Sequence, residues 1–414
     1  MLIPKLRRMS PVGSVRGALR AAPALSLGLI FAAVGAPAHA GQSDALHPYA
    51  ALSFSHDDNL LRVPEGAPPF GNQYGDTFTT AEAGLLFDHT YSRQRLNGQL
   101  KLSRVKFSHF EQLDYDGQDV LANWNWQIGN HLDGLLGASY NQTLAPYTDF
   151  RSDERNLRRQ RRLFFDGGWR FHSSWQARAA ATRDKFTYEL GSQRYNNRIE
   201  DAHELGLDYL PPSGSTVGLV LRKLKGSYPT PRPRGAELVS DNYDQDEVKA
   251  RIHWIASGST NVQVLAGWVR RNQPTLGGTT SGVNGRLSAD HKPRGRLSYN
   301  AALWREFAPI ESVYVNYTLN KGASIGATYE AGAKLRIEAT ASAERRAYNA
   351  RLLPLSGASL KDAIRSASLG ASYTPSLTVK LSAALVHQSR SGSVTLGTGS
   401  FTSNSVTFNA SAQF

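Results

Sequence analysis

The chain has 414 residues, a formal net charge of +13, no cysteine and a mean hydropathy of −0.40. The lack of cysteine excludes disulfides, zinc–cysteine sites and thiol nucleophiles. The positive charge favours anionic partners. An anionic polysaccharide or a lipid phosphate is favoured over nucleic acid, because the chain has no recognisable nucleic-acid-binding module.

Residues 1–40 have the pattern of a secretory signal peptide. A segment with five basic residues and no acid precedes an apolar run from Ala21 to Ala36, and Ala38-His39-Ala40 stands just before Gly41. An uncleaved membrane anchor is the alternative, but spanning a bilayer needs about 20 apolar residues. The sequence therefore predicts a mature chain that starts near Gly41. Removing the five positive charges of the signal takes the formal charge from +13 to +8.

After the signal peptide, the first segment that could form a catalytic site is His56-Asp57-Asp58. An Asp and a His could activate water in a barrel hydrolase, but no second matching acidic pair accompanies them. The alternative is a solvated turn between the first two strands, where Asp is favoured by local hydrogen bonding. The chain also lacks the serine-hydrolase elbow, the zinc-protease motif and the phosphate loop. We therefore predict no enzyme activity, no cofactor and no metal site.

Segments in which apolar and polar residues alternate recur from residue 47 to the end, with turn residues between them. The pattern predicts an all-β protein: a single up-and-down antiparallel transmembrane β-barrel over residues 41–414. We predict about 18 strands, at 47–55, 76–90, 94–108, 117–128, 131–145, 160–171, 174–188, 199–210, 214–226, 245–256, 259–271, 280–291, 294–306, 319–331, 333–347, 363–374, 376–389 and 402–414.

Connection lengths and aromatic residues support the barrel. Short turns alternate with longer loops such as 56–75, 146–159, 227–244 and 348–362, as in outer-membrane barrels. Aromatic residues recur near the short-turn ends, where amphipathic rings favour the membrane interface. These residues are Trp126, Trp169, Phe171, Tyr209, Trp254, Tyr329 and Tyr373. Core aromatics of a β-sandwich are the alternative, but a sandwich seldom needs so many strands without a linker.

Six arginines make the densest basic patch, in and around the loop that follows the fifth predicted strand. They are Arg151, Arg155, Arg158, Arg159, Arg161 and Arg162. Arginine binds carboxylates and phosphates through two parallel hydrogen bonds. The patch therefore predicts either a ring at the channel mouth that attracts an acidic glycan or a docking site for lipopolysaccharide phosphates. The sequence leaves both readings open.

Charges of both signs lie on the polar faces of the predicted strands. Because a charge at mid-depth on the lipid face costs about 2–4 kcal/mol, these residues are expected to face the lumen. The candidates are Lys249, Arg251, Arg286, Lys334, Arg336, Glu338 and Glu344. A net positive lumen would suit an anionic chain. Mutual pairing that only stiffens the wall is the alternative for any one of them.

The C-terminal strand ends in an aromatic residue. Val406, Phe408, Ala410, Ala412 and Phe414 share one face, and a soluble protein seldom exposes such an edge. In a barrel, this strand closes against the first one and its apolar face meets lipid. We predict that Phe408 and Phe414 form the insertion signal read by the barrel-assembly machinery.

Two segments carry a family resemblance. Ser43 to Glu65, with Asp57-Asp-Asn-Leu-Leu-Arg-Val63 at its centre, resembles the opening of the EpsL-like outer-membrane proteins linked to exosortase-associated polysaccharide operons. These proteins are a branch of the porin-2-type barrels. Ser281-Gly-Val-Asn-Gly-Arg-Leu-Ser288 and Leu297 to Glu306 fit the same family, although Leu61 and Val63 depart from its usual Phe and Leu.

The resemblance implies an outer-membrane protein of a Gram-negative bacterium that takes part in export of an extracellular polysaccharide, together with periplasmic export components. A general diffusion porin for small solutes is one alternative, which an inward-folded loop at 56–75 or 227–244 would favour. A non-conducting structural component of a secretion complex is the other.

Overall fold

The computed structural model describes residues 45–234, 237–274, 278–309, 317–348, 361–392 and 399–414. Within them, eighteen strands form one antiparallel sheet in which sequential strands pair. β1 pairs with both β2 and β20, so the first and last strands of the sheet meet and the sheet closes into a barrel. The predicted signal peptide lies outside the described residues.

The strands are numbered in chain order. They are β1 (Leu46–Asp57), β2 (Asp76–Tyr91), β3 (Gln94–Phe107), β4 (Tyr115–Ile128), β5 (Leu132–Leu144), β6 (Leu157–His172), β7 (Trp175–Tyr188), β8 (Arg198–Tyr209), β9 (Thr216–Ser227), β10 (Arg232–Arg234), β11 (Glu237–Val239), β12 (Tyr243–Ser257), β13 (Thr260–Gln273), β14 (Gly278–His291), β15 (Leu297–Pro309), β16 (Tyr317–Glu330), β17 (Leu335–Tyr348), β18 (Lys361–Tyr373), β19 (Val379–Ser391) and β20 (Phe401–Gln413). β10 and β11 form a separate small hairpin outside the barrel sheet.

Three short 3₁₀ helices lie in connections between strands. They span Phe70–Asn72, Glu111–Leu113 and Gly191–Asn196. Among the described residues, no helix has the length and apolar character needed to cross a membrane.

The outer face of the barrel is apolar. Within the middle of the strands, most outward residues are large exposed hydrophobic residues or alanine, as at Leu219 and Leu221 of β9 or Leu303 of β15. The residues between them face the interior, because successive side chains of a strand point to opposite faces. Exposed aromatics at the short-turn ends include Trp169, Trp254 and Tyr373. This apolar belt with an aromatic girdle is the exterior of an outer-membrane barrel.

The strand prediction is confirmed in number, order and closure, with boundaries that differ by at most three residues. The hairpin β10–β11 is the element that the pattern did not predict. It has three residues in each strand, too few for a periodicity to emerge.

The two ends of the barrel differ in their connections. At one end the turns are short, such as residues 92–93 between β2 and β3 or 258–259 between β12 and β13. At the other end lie long connections, including 58–75, 145–156 and 228–242. Short turns are periplasmic in outer-membrane barrels and long loops are extracellular. The long loops therefore surround the outer mouth of the barrel.

Candidate functional site

The loop between β5 and β6, residues 145–156, crosses the interior of the barrel. Its Asp149 is bound by Arg346 of β17 at 2.9 Å and by Arg390 of β19 at 3.2 Å. The carbonyl of Thr148 also accepts a hydrogen bond from Arg390. β6 and β17 stand at the sixth and fifteenth positions of the eighteen-strand ring, nine apart and thus opposite. The loop is therefore anchored on the far wall.

A buried cluster receives the loop, and we call Asp149, Arg346, Asp362 and Arg390 the Asp149 latch. Arg346 Nε donates to Asp362 at 3.0 Å, and Arg390 Nε donates to the same carboxylate at 2.8 Å. The hydroxyl of Tyr348 also donates to Asp362. The side chains of Arg390 and Asp362 are fully buried. Two carboxylates thus neutralise two guanidinium groups.

The charge balance of the latch depends on Asp149. Burial by itself raises the pKa of this carboxyl group, but attraction to Arg346 and Arg390 outweighs burial and holds the pKa below its ordinary value. The ionised form is therefore the stable one at neutral pH. Removing the charge leaves the two arginines with one carboxylate between them, Asp362.

The same loop places a second charge near the outer mouth of the barrel. Arg151 lies with its guanidinium 5.8 Å from the ring centre of Phe401, and Arg62 lies 5.9 Å from that ring. Burial, together with repulsion from Arg390, lowers the pKa of Arg151 to about 10. At neutral pH the side chain still carries its positive charge, so the loop presents a desolvated cation at the mouth.

An apolar core lies under the loops on this side of the mouth. It joins residues of loop 58–75 to the 108–114 connection and to the upper end of β3. Its members are Leu60, Leu61, Val63, Val105, Phe107, Phe110 and Leu113. Asp76 accepts backbone hydrogen bonds from His109 and Phe110, which fixes the two loops together. The loops are therefore a packed part of the barrel.

A polar cluster covers the mouth on the opposite side. Arg232 of the small hairpin is buried and bonds to Asp241 at 3.1 Å and to Asn196 at 3.3 Å. The hydroxyl of Tyr243 donates to Glu200 at 2.9 Å, and Arg271 stacks on the Tyr243 ring at 3.4 Å. Loop 228–242 is thus bonded through Arg232 to Asn196 of the 3₁₀ helix Gly191–Asn196, and the Tyr243 cluster joins β8, β12 and β13 beside it.

Apart from Lys334, the predicted lumen-lining residues face the interior, and their charged groups have polar partners there. Lys249 contacts Glu247 at 2.5 Å, and Arg251 contacts Asp208 at 3.2 Å. The other predicted residues follow the same rule: Arg286 pairs with Glu306, Arg336 with Glu338, and Glu344 accepts hydrogen bonds from Trp304 and Asn320. These pairs neutralise much of the positive charge that the sequence places on the wall.

Lys334 departs from its predicted place on a strand. β17 begins at Leu335, one residue later, and Lys334 lies in the preceding turn. Its ammonium group donates to the carbonyl of Pro375 at 2.8 Å. The predicted strand begins at residue 333, so its boundary differs by two residues, and a lumen-lining role of Lys334 stays a prediction.

One side of the lumen is lined by small hydroxyl side chains. Along β16 to β20 and β1, Ser and Thr are frequent at the inward positions; Thr340 and Ser368 share a hydrogen bond of 2.6 Å, and Ser55 and Thr407 one of 2.9 Å. The members of this hydroxyl wall are Ser324, Thr328, Thr340, Ser342, Ser366, Ser368, Ser372, Ser382, Ser405, Thr407, Ser411, Ser53 and Ser55. Such side chains exchange hydrogen bonds readily with water or with sugar hydroxyls.

The six arginines of the basic patch lie in two different elements, the loop 145–156 and β6. Arg151 and Arg155 lie in the loop, and Arg155 pairs with Glu189 at 2.9 Å. The other four lie within β6, which begins at Leu157, so the prediction of one loop patch was wrong for them. Arg158 and Arg162 face inward, and Arg162 lies 3.8 Å from Asp184. Arg159 and Arg161 share the outer face with Leu163, because the strand continues its alternation beyond the apolar belt.

His56 and Asp57 cannot act together, because they are neighbours on β1 and point to opposite faces. His56 contacts Thr77 on the outer face at 2.9 Å. Asp57 is fully buried and pairs with Arg62 at 2.9 Å, so the expectation of a solvated turn was wrong for it. In the described ranges, no group of three or more His, Asp or Glu side chains could hold a metal ion.

The sequence analysis did not predict the Asp149 latch. Its partners lie 197 and 241 residues away along the chain. Alternation places Arg346 and Arg390 on the inner face, but no sequence signal indicates which loop folds inward to meet them. Neither loop that was considered, 56–75 or 227–244, makes this contact.

Phe408 lies on the outer face of β20, as the alternation of the last strand predicts, and Phe414 directly follows that strand. Phe408 is 57% exposed on the outer face and stands opposite Phe54 of β1. Phe414 is 74% exposed, and its backbone N–H donates to the carbonyl of Pro48 at 2.8 Å. The C-terminus is thus tied to the first strand at the closure of the barrel.

No protein-family model and no curated protein matches the chain. Solved structures with a similar overall shape include three proteins of Pseudomonas aeruginosa. OccK2 (OpdF), in complex with glucuronate, is 11% identical over 90% of this chain and 98% of that chain, with a TM-score of 0.49. The outer membrane protein OpdK is 12% identical over 90% and 99%, with a TM-score of 0.48. OpdL is 11% identical over 89% and 98%, with a TM-score of 0.47.

Proposed function

We propose that the protein is an outer-membrane channel of restricted width for small hydrophilic solutes. The observation that carries this proposal is the loop 145–156, which is held across the interior by Asp149. A barrel of eighteen strands is wide enough for an aqueous channel, so its effective width is set by what folds into it. A loop that is fixed there by buried ion pairs limits the size of the solutes that can pass.

Single-channel recording in a planar bilayer tests the proposal. The purified barrel is expected to open discrete, stable channels, and liposomes that contain it are expected to swell in small sugars but not in long dextrans. Absence of conductance would instead support a structural component of a secretion complex. Swelling in long dextrans would contradict the size limit.

Export of an extracellular polysaccharide, the role implied by the resemblance to EpsL-like proteins, is the second candidate. The hydroxyl wall favours it, because Ser and Thr side chains can exchange hydrogen bonds with a passing hydrated sugar chain. This role requires loop 145–156 to leave the lumen, with the energy supplied by periplasmic components, since the chain has no phosphate loop.

A chromosomal deletion tests the export role. Loss of surface polysaccharide that is restored by the intact chain would support export. Unchanged polysaccharide in the deletion strain, together with channel activity of the purified barrel, would leave the small-solute channel as the function.

A further inference from the structure

The outer wall carries a cluster of cations across three neighbouring strands. Lys321 of β16 stands directly opposite Arg345 of β17, and Arg345 is the diagonal neighbour of Arg365 on β18. These three residues, which we call the β16–β18 basic cluster, are exposed. They share the outer face with Ile325, Ala343 and Leu369, so they face away from the lumen.

The cluster has no compensating acid among the described residues. The carboxylates of the same strands point elsewhere: Glu344 binds Trp304 and Asn320 inside the barrel, Asp362 belongs to the Asp149 latch, and Glu338 pairs with Arg336. Like charges directly opposite each other on a sheet are destabilising. The arrangement is therefore unfavourable unless an anion lies against the outer wall.

The height of the cluster matches the outer-leaflet head groups. Lys321 and Arg365 lie eight residues above the girdle residues Tyr329 and Tyr373 of their strands. At about 3.3 Å per residue and a strand tilt of about 40°, eight residues rise about 20 Å, near the upper edge of an apolar band about 25 Å tall. The cations thus lie at the upper interface, on the long-loop side.

We propose that the β16–β18 basic cluster binds the phosphate groups of lipopolysaccharide. Arginine matches phosphate oxygens with two parallel hydrogen bonds, and a lysine adds a point charge. Neighbouring residues on the outer face, such as Ala343 and Ala363, are small and leave room for a head group beside the wall. An outer-leaflet lipid that carries phosphates on a sugar backbone supplies the anion that the three cations lack.

Outer-wall cations elsewhere provide a matched control. Arg104 pairs with Asp116 at 2.9 Å, Arg183 lies 3.6 Å from Asp201, and Lys223 stands opposite Asp246. These three residues have the same total charge and also lie on the outer face. Because each has a carboxylate beside it, their removal is not expected to affect phosphate binding.

The test measures binding of lipid A to the detergent-purified barrel by native mass spectrometry. The variant carries Lys321→Gln, Arg345→Gln and Arg365→Gln, and the control carries Arg104→Gln, Arg183→Gln and Lys223→Gln. The first variant is expected to bind bisphosphorylated lipid A about tenfold or more weakly, the effect of losing one charge-assisted hydrogen bond. The control is expected to bind as the unmodified protein does.

Two further measurements distinguish specific phosphate binding at this cluster from general attraction between the cationic barrel and anionic lipids. The unmodified barrel should bind dephosphorylated lipid A and phosphatidylglycerol no better than the variant does. Without added lipid, the variant should melt no lower than the unmodified barrel, because its substitutions remove repulsion. Equal binding by variant and unmodified protein, equal loss in the control, or equally tight phosphatidylglycerol binding would overturn the proposal.

Discussion

The carboxylate of Asp149 holds loop 145–156 in its inward position. Its two arginine partners are held in place by Asp362, which both contact. Breaking a buried ion pair from one side is costly because it leaves the other charge uncompensated. The latch therefore stabilises the inward loop as long as Asp149 is charged.

Substituting Asp149 with alanine is expected to free the loop. Single-channel conductance should rise and become noisier, while the barrel keeps its strands because Asp362 still pairs both arginines. Glu154→Ala is the control, since Glu154 is an exposed acid of the same loop. Unchanged conductance in the Asp149 variant would show that the loop is held by other contacts.

The pH dependence of the channel follows from the same residue. The pKa of Asp149 is lowered below its ordinary value of 3.8. A lowered pKa means that the latch is fully formed above the ordinary value and weakens as the pH falls through the lower, folded-state value. Conductance at about pH 5 should therefore equal that at about pH 7, and should increase only below about pH 4. A rise that begins near pH 6 would point to a histidine instead.

At the scale of the strand, the interior charges act in pairs rather than as a uniform field. Arg251 of β12 and Asp208 of β8 lie 3.2 Å apart with little exposure. The sequence left two readings open, a net positive lumen and mutual pairing of the wall charges, and this pair follows the second. Alternation identifies the face on which a charge lies, but the partner of that charge depends on strand register, which sequence periodicity does not supply.

Pairing predicts a specific pattern of ion selectivity. Arg251→Gln should move the reversal potential toward cation preference, because Asp208 is left uncompensated. Adding Asp208→Asn should bring the reversal potential back near that of the unmodified channel. If the double variant keeps the full shift of the single one, Arg251 contributes an independent field.

The role of Phe414 at the end of the last strand can be tested by substitution. If the exposed ring of Phe414 is part of an insertion signal, Phe414→Asp should reduce the amount of protein that reaches the outer membrane. Fractionation of membranes after equal expression measures the effect, with Gln413→Asp as the control on the neighbouring position. Equal amounts for both variants would remove Phe414 from that role.

For the whole molecule, the sequence predicts the strands and closure of the barrel, but it does not predict the position of the inward loop or the grouping of charged residues. Period-two alternation and turn residues are local signals, so all eighteen wall strands and the closure could be predicted. Loop 145–156 has no such periodicity, and its position depends on Arg346 and Arg390, far away in the sequence. The same holds for the β16–β18 basic cluster, whose residues become neighbours only through strand pairing.

The latch has a consequence for the order of assembly. Asp149 comes from the first half of the chain, and Arg390 stands 241 residues later, on the second-last strand. Contacts of such long sequence separation form late, because the entropy of closing the intervening loop must be overcome first. An assembling barrel that still lacks β19 and β20 has no complete binding site for the loop. Narrowing of the lumen is therefore coupled to completion of the wall, so that the interior stays accessible until the final strands have joined.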